Sequence, residues 1–106
     1  MSTDLKARYN SKYSLGKKIT AIQYAGEIMC ERLANYRKTN LPLKFWKMEE
    51  WKQYFITQTM IASSLIKKHG ERALIKGILD PKANKIFSLR NQQIKKIIEN
   101  YGEENS

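Results

Sequence analysis

Gln53–Ile66 reads QYFITQTMIASSLI, fourteen residues without a charge in a chain that is 28% charged. At 100° per residue, Trp51, Tyr54, Phe55, Gln58, Ile61, Ala62, Leu65 and Ile66 make one broad apolar face. Ile56 and Met60 fall on the other side, among Thr57, Ser63 and Ser64. A surface helix would carry lysines and glutamates there, so the stretch is expected to be a central helix, about 48–68, covered on more than one side. Glu49 and Glu50 mark its start, and Lys67, Lys68 and His69 its end, matching the helix dipole. Gly70 is expected to close it in the left-handed conformation.

Three further helices are expected around it. Thr20-Ala21-Ile22-Gln23 fits a capping box, opening a helix over about 20–38 with Arg37 and Lys38 in its last turn. Its stripe is Ile22, Ala25/Gly26, Met29, Leu33 and Tyr36. Gly26 on that stripe costs roughly 1 kcal/mol against alanine, which predicts close approach of another helix. Asn40-Leu41-Pro42 ends the segment. A short helix over about 71–79 buries Leu74 and Ile78 and is stopped by Asp80-Pro81. After a loop, with Ile86 and Phe87 tucked under the bundle, Ser88 is expected to cap a last helix, about 89–101. Ile94, Ile97, Ile98 and Tyr101 would face inward and Gly102 would close it. The fold class is therefore all-α, a compact bundle of about four helices. Residues 1–18 show no sustained apolar period and read as a basic, flexible arm; 19–102 form one helical domain and 103–106 a frayed tail.

At 106 residues the chain can bury a core without disulfide or metal staples. One cysteine, Cys30, excludes an intramolecular disulfide framework and suits a reducing, cytoplasmic setting. The N-terminus has no apolar signal region, and fourteen uncharged residues are too few and too polar to span a bilayer.

Net charge is +10, from 20 Lys and Arg against 10 Asp and Glu. Such a field implies an anionic partner, although fifteen lysines to five arginines is also what an A/T-rich genome produces. The cations concentrate in Lys67, Lys68, Arg72, Lys76, Lys82, Lys85, Arg90, Lys95 and Lys96. Those nine face only Glu71 and Asp80, giving +7 within thirty residues. A helix, a glycine turn and a short helix invite a helix-turn-helix reading, but Ile66 stands where that motif wants a small residue and Lys76 where it wants a buried one. A basic face meeting phosphates is the better reading, with a merely solvated lysine surface the bland alternative. The arm adds Lys6, Arg8, Lys12, Lys17 and Lys18, with Tyr9 and Tyr13 four residues apart. Those rings suit either stacking on unpaired bases or docking on their own domain.

Other chemistry finds little support. His69 is the single histidine, too few for a metal site with Cys30 some forty residues away. Cys30 reads as a small buried hydrophobe. Glu27 and Glu31 share a face opposite the buried stripe and read as solvated acids, with Mg²⁺ binding the sharper alternative. No catalytic residue, metal or cofactor is expected. Phe45, Trp46 and Trp51 read as core around a helix junction. If exposed, they would instead anchor a partner. Two functions compete: a nucleic-acid-binding accessory protein, DNA or RNA, and a helical adaptor docking on an acidic protein within a replication or transcription assembly. Membrane-surface binding needs an exposed amphipathic face, and the apolar stripes are expected to be spent on the core.

Overall fold

The computed structural model describes residues 6–104; residues 1–5 of the expected arm and 105–106 of the expected tail lie outside the described residues. Four helices carry the architecture: α1 (Ala21–Tyr36), α2 (Glu49–His69), α3 (Glu71–Ile78) and α4 (Gln92–Glu104). A two-stranded antiparallel hairpin, β1 (Tyr9–Asn10) and β2 (Lys18–Ile19), precedes them, with Tyr9 opposite Ile19.

The central helix begins and ends where its charges say it should, with Glu49 and Glu50 in its first turn and Lys67, Lys68 and His69 in its last. It buries Trp51, Gln58, Ala62, Leu65 and Ile66. Its other side departs from expectation. Ile56 is 39% exposed and Met60 67%, with Gln53 and Ser64 exposed beside them. The reason lies in how the remaining helices spend their apolar faces. Helix α1 makes the most extensive contact with α2, the turn at Phe45–Lys47 adds to it, and α3 and α4 pack chiefly on each other and less on α2. Among the described residues, nothing covers the flank that carries Ile56 and Met60.

Gly26 is where α1 meets α2. A Cβ there would stand 2.9 Å from the Phe55 ring and 2.9 Å from the Thr59 methyl, the close approach predicted from its place on the stripe. The stripe itself is rotated from the expected one: Ala21, Ala25, Met29, Cys30, Leu33 and Ala34 are buried, and Tyr36 is exposed. Small residues on that face let the helices lie close, which moves the contact line toward the alanines. Thr20 caps the helix, accepting the Gln23 amide at 3.4 Å. The second half of the capping box is not made; Gln23 Nε2 donates forward to Glu27 Oε2 at 3.3 Å, a charged acceptor. The helix also stops short of 38, because Lys38 takes a left-handed φ of 57°.

Gly70 alone separates α2 from α3. Its φ of 97° and ψ of 155° lie outside the expected αL well, in a region open to glycine. Serving as the end of one helix and the start of the next, it turns the chain within one residue. Helix α3 then buries Ala73, Leu74, Gly77 and Ile78. A Cβ on Gly77 would lie 2.4 Å from Ile98 Cγ1 and 2.9 Å from its Cα, so α3 and α4 touch almost backbone to backbone.

Helix α4 starts later than expected. Asn91, not Ser88, is its cap: Asn91 Oδ1 accepts from the amides of Gln93 at 2.8 Å and Ile94 at 3.2 Å. Ser88 Oγ is engaged in the preceding turn, accepting from Arg90 N at 3.2 Å. At the other end Gly102 lies inside the helix and does not close it, because the missing side chain lets His69 pack there, 3.1 Å from where a Cβ would be.

The expected arm differs over its described residues. Gly16, with φ 71°, lets the chain reverse, and Ser11 Oγ holds the bend by accepting from the amides of Tyr13 at 3.2 Å and Ser14 at 2.9 Å. Ser11 also donates to Glu27 Oε2 at 2.8 Å, and Ile19 is buried. The hairpin docks through Ser11, Ile19 and the two tyrosines, too few and too irregularly spaced to leave an apolar period in the sequence.

Candidate nucleic-acid interface

The hairpin decides the fate of the two tyrosines. Tyr9 stacks on Tyr24, with ring centroids 4.9 Å apart, and its hydroxyl donates to Glu71 Oε2 at 2.7 Å. Burial, then that carboxylate, pushes the phenol up to about 12. Tyr13 packs edge-on against Phe45 at 5.1 Å and donates to Glu31 Oε2 at 2.9 Å. Both rings are docked on their own domain. Of the two readings the sequence left open, this arrangement supplies docking, while each ring stays half-buried and also lines a surface groove.

The acids of α1 depart from expectation, Glu27 fully and Glu31, half-buried, in part. Glu27 is buried, its Oε2 accepting from Ser11 and Gln23. Desolvation raises its carboxyl above the ordinary range against the opposing pull of those hydrogen bonds. Glu31 accepts from Tyr13 and pairs with Lys12 at 3.1 Å. The hairpin is the cover that the helix-wheel view of α1 lacked. The two carboxylates line a groove with Tyr13, Tyr24 and Arg32, but both are already bonded to the hairpin. Among the described residues, no group of three or more His, Cys, Asp or Glu side chains stands together as a metal site.

Cys30 is buried, and burial followed by the nearby Glu27 pushes its thiol up to about 12. A thiol so placed is inert. Phe45 is fully buried at the hub of the aromatic cluster, with Trp46, Phe55 and Trp51 centroids at 5.1, 5.5 and 6.1 Å. Trp51 is buried too, and Trp46, half-buried, stacks on Phe55 at 5.4 Å. These rings are core, as read from sequence.

The cations of the C-terminal half separate into groups. Lys68, Lys95 and Lys96 line one groove between the end of α2 and the start of α4, with His69, Gln92 and Glu99. Arg8, Arg72 and Lys76 line another, between the hairpin and α3, with Tyr9 and Glu71. Lys85 lies elsewhere, with Arg32 and Asn84. Lys6, Lys17, Lys67, Lys82 and Arg90 are exposed and line neither of the first two grooves. Lys18 Nζ donates to Asn10 Oδ1 at 2.7 Å within the hairpin. Lys12 pairs with Glu31 at 3.1 Å. Those cations of the run that line grooves thus line different ones.

One cation that the sequence did not single out has a structural task. Arg32 reaches from α1 across the loop after α3 and donates to the carbonyls of Ile78 at 2.5 Å, Ala83 at 2.7 Å and Ile86 at 3.2 Å. Burial lowers its affinity for the proton. No periodicity marks it, because its partners are backbone atoms some fifty residues away.

No family model, curated protein or solved structure matches the chain. Among the described residues no helix is long and apolar enough to cross a membrane. A small helical bundle with two cation-lined surface grooves is what the geometry defines.

Proposed function

We propose that this protein is a small basic nucleic-acid-binding accessory protein that holds the phosphate backbone. The observation that carries the reading is the groove between α2 and α4 that Lys68, Lys95 and Lys96 line, with Glu99 as the acid beside them. Two helices fix three cations on one concave surface, and His69 and Gln92 beside them add hydrogen-bonding groups. Arg8, Arg72 and Lys76 form a second contact region. With net charge +10, binding is driven by release of counterions from the phosphates.

Such contacts position a backbone without reading bases. Helix α3 spends Ala73, Leu74, Gly77 and Ile78 on the core, leaving Arg72 and Lys76 as its outward cations. That set suits phosphates better than base edges. The protein should therefore bind duplex DNA, single-stranded DNA and RNA with little sequence preference. Fluorescence anisotropy with labelled oligonucleotides of each kind at about 50 mM salt, where this electrostatic term is strong, tests the proposal. Saturable binding supports it, and no binding to any of the three contradicts it.

A further inference from the structure

The uncovered flank of α2 carries a pattern of its own. Its outward line runs Glu49, Gln53, Ile56, Met60, Ser63 and Lys67, with alternating spacings of four and three residues. That is the spacing of a coiled-coil seam. Ile56 and Met60, 39% and 67% exposed, stand at its middle. Glu49, Gln53 and Lys67 are exposed and Ser63 half-exposed.

The line is also self-complementary about Gln58. Ile56 and Met60 lie two residues either side of it, Gln53 and Ser63 five, and Glu49 and Lys67 nine. Two copies of α2 laid antiparallel about a two-fold axis bring Ile56 onto the partner's Met60, Gln53 onto the partner's Ser63, and Glu49 onto the partner's Lys67. A parallel arrangement would instead put Glu49 on Glu49 and Lys67 on Lys67. Antiparallel pairing also sets the two helix dipoles head to tail. A two-fold interface requires such a patch, one that meets itself.

We infer that the outer flank of α2 is a homodimer seam, with a second copy of this chain docked antiparallel across Ile56 and Met60. The apolar pair supplies the attraction, and the terminal charges set the direction, since exposed ion pairs add little affinity by themselves. Repulsion between two copies of net charge +10 opposes association, but at physiological salt it is screened beyond about 8 Å. One helix pair falls below the roughly 1,200–2,000 Å² of a standard interface, so the dimer is a weak one. The inference is independent of nucleic-acid binding.

Sedimentation equilibrium of the full chain, freed of nucleic acid, tests it at about 0.15 M salt and from about 10 to 300 µM, as a seam of sub-standard size demands. A monomer–dimer equilibrium is expected. Met60→Glu, at an exposed position and checked for native helicity by circular dichroism, should weaken it at least about tenfold by placing charge in the seam. Glu49→Lys and Lys67→Glu should each weaken it by about three- to tenfold, and the chain carrying both changes should recover dimerisation, since the two charges then face each other in reverse. A chain that stays monomeric throughout, a dimer indifferent to Met60→Glu, or a double exchange that fails to restore affinity would overturn the inference.

Discussion

From within α2, Gln58 Oε1 accepts the backbone N–H of Leu89 at 2.7 Å. Gln58 and Leu89 are both fully buried or nearly so, and Gln58 Nε2 donates to Ser88 Oγ at 3.3 Å. A polar side chain on an otherwise apolar face thus fastens the loop before α4 to the central helix. The same loop is held by Arg32 through the Ala83 and Ile86 carbonyls, and Tyr54 donates its hydroxyl to the Phe87 carbonyl.

Replacing Gln58 by leucine keeps the volume but leaves the Leu89 amide buried and unpaired. Such a group costs about 1–3 kcal/mol, and urea unfolding should show that loss. Ser88→Ala should lose less, because its bond to Gln58 is longer and Ser88 is only half-buried. Equal stability of wild type and Gln58→Leu would contradict this account of the loop.

Gly77 and Gly26 should rank differently although both sit at helix contacts. Alanine gains roughly 1 kcal/mol of helix propensity at either site. At Gly77 the added methyl meets Ile98 backbone at 2.9 Å, so helix α4 itself must move. At Gly26 it meets only the Phe55 ring and a threonine methyl. Overpacking costs typically about 1–3 kcal/mol, and Gly77→Ala should fall at the top of that range or above, with Gly26→Ala below it. Thermal unfolding of the two variants gives the order directly; the reverse order would contradict the close α3–α4 approach.

Glu27 should leave a signature in pH. Its carboxyl is raised above the ordinary 4.5 in the folded protein, so the fold holds that proton more tightly than the unfolded chain does. Its contribution is present in full below the unfolded value and is lost as pH rises through the folded one. Both Ser11 and Gln23 donate to the same oxygen, Oε2, so an amide oxygen can take both. Glu27→Gln should therefore gain stability relative to wild type as pH climbs from below 4.5 to neutral. Denaturation of both chains across that range checks it; a constant difference would show that the carboxylate is ionised as easily in the fold as in water.

The first three helices were legible because each carries its own signals: acids and cations at the ends of α2, threonine before α1, Asp80-Pro81 after α3. Gly26 could be read as a contact point since it interrupts an apolar stripe. Other features could not be read, because they depend on distant partners. Ser11, Glu27 and Arg32 form polar attachments across sixteen to about fifty residues, and no local pattern announces them. Thus the hairpin looked like an arm, and Glu27 and Glu31 looked solvated. The bare flank of α2 was misjudged for a related reason: a neutral outer face suggests cover, whereas the remaining helices pair with each other. In the candidate interface the sequence showed where cations are dense but not how the fold would divide them into grooves.

The salt dependence of nucleic-acid binding bears most directly on the central claim. Each phosphate neutralised contributes a slope of about −0.9 for duplex DNA in a plot of log affinity against log salt. Replacing Lys68, Lys95 and Lys96 together by alanine should weaken binding to unrelated duplex sequences alike and make that slope shallower by about three. A slope unchanged by the triple replacement, with the chain still folded, would show that the groove between α2 and α4 does not meet the phosphates.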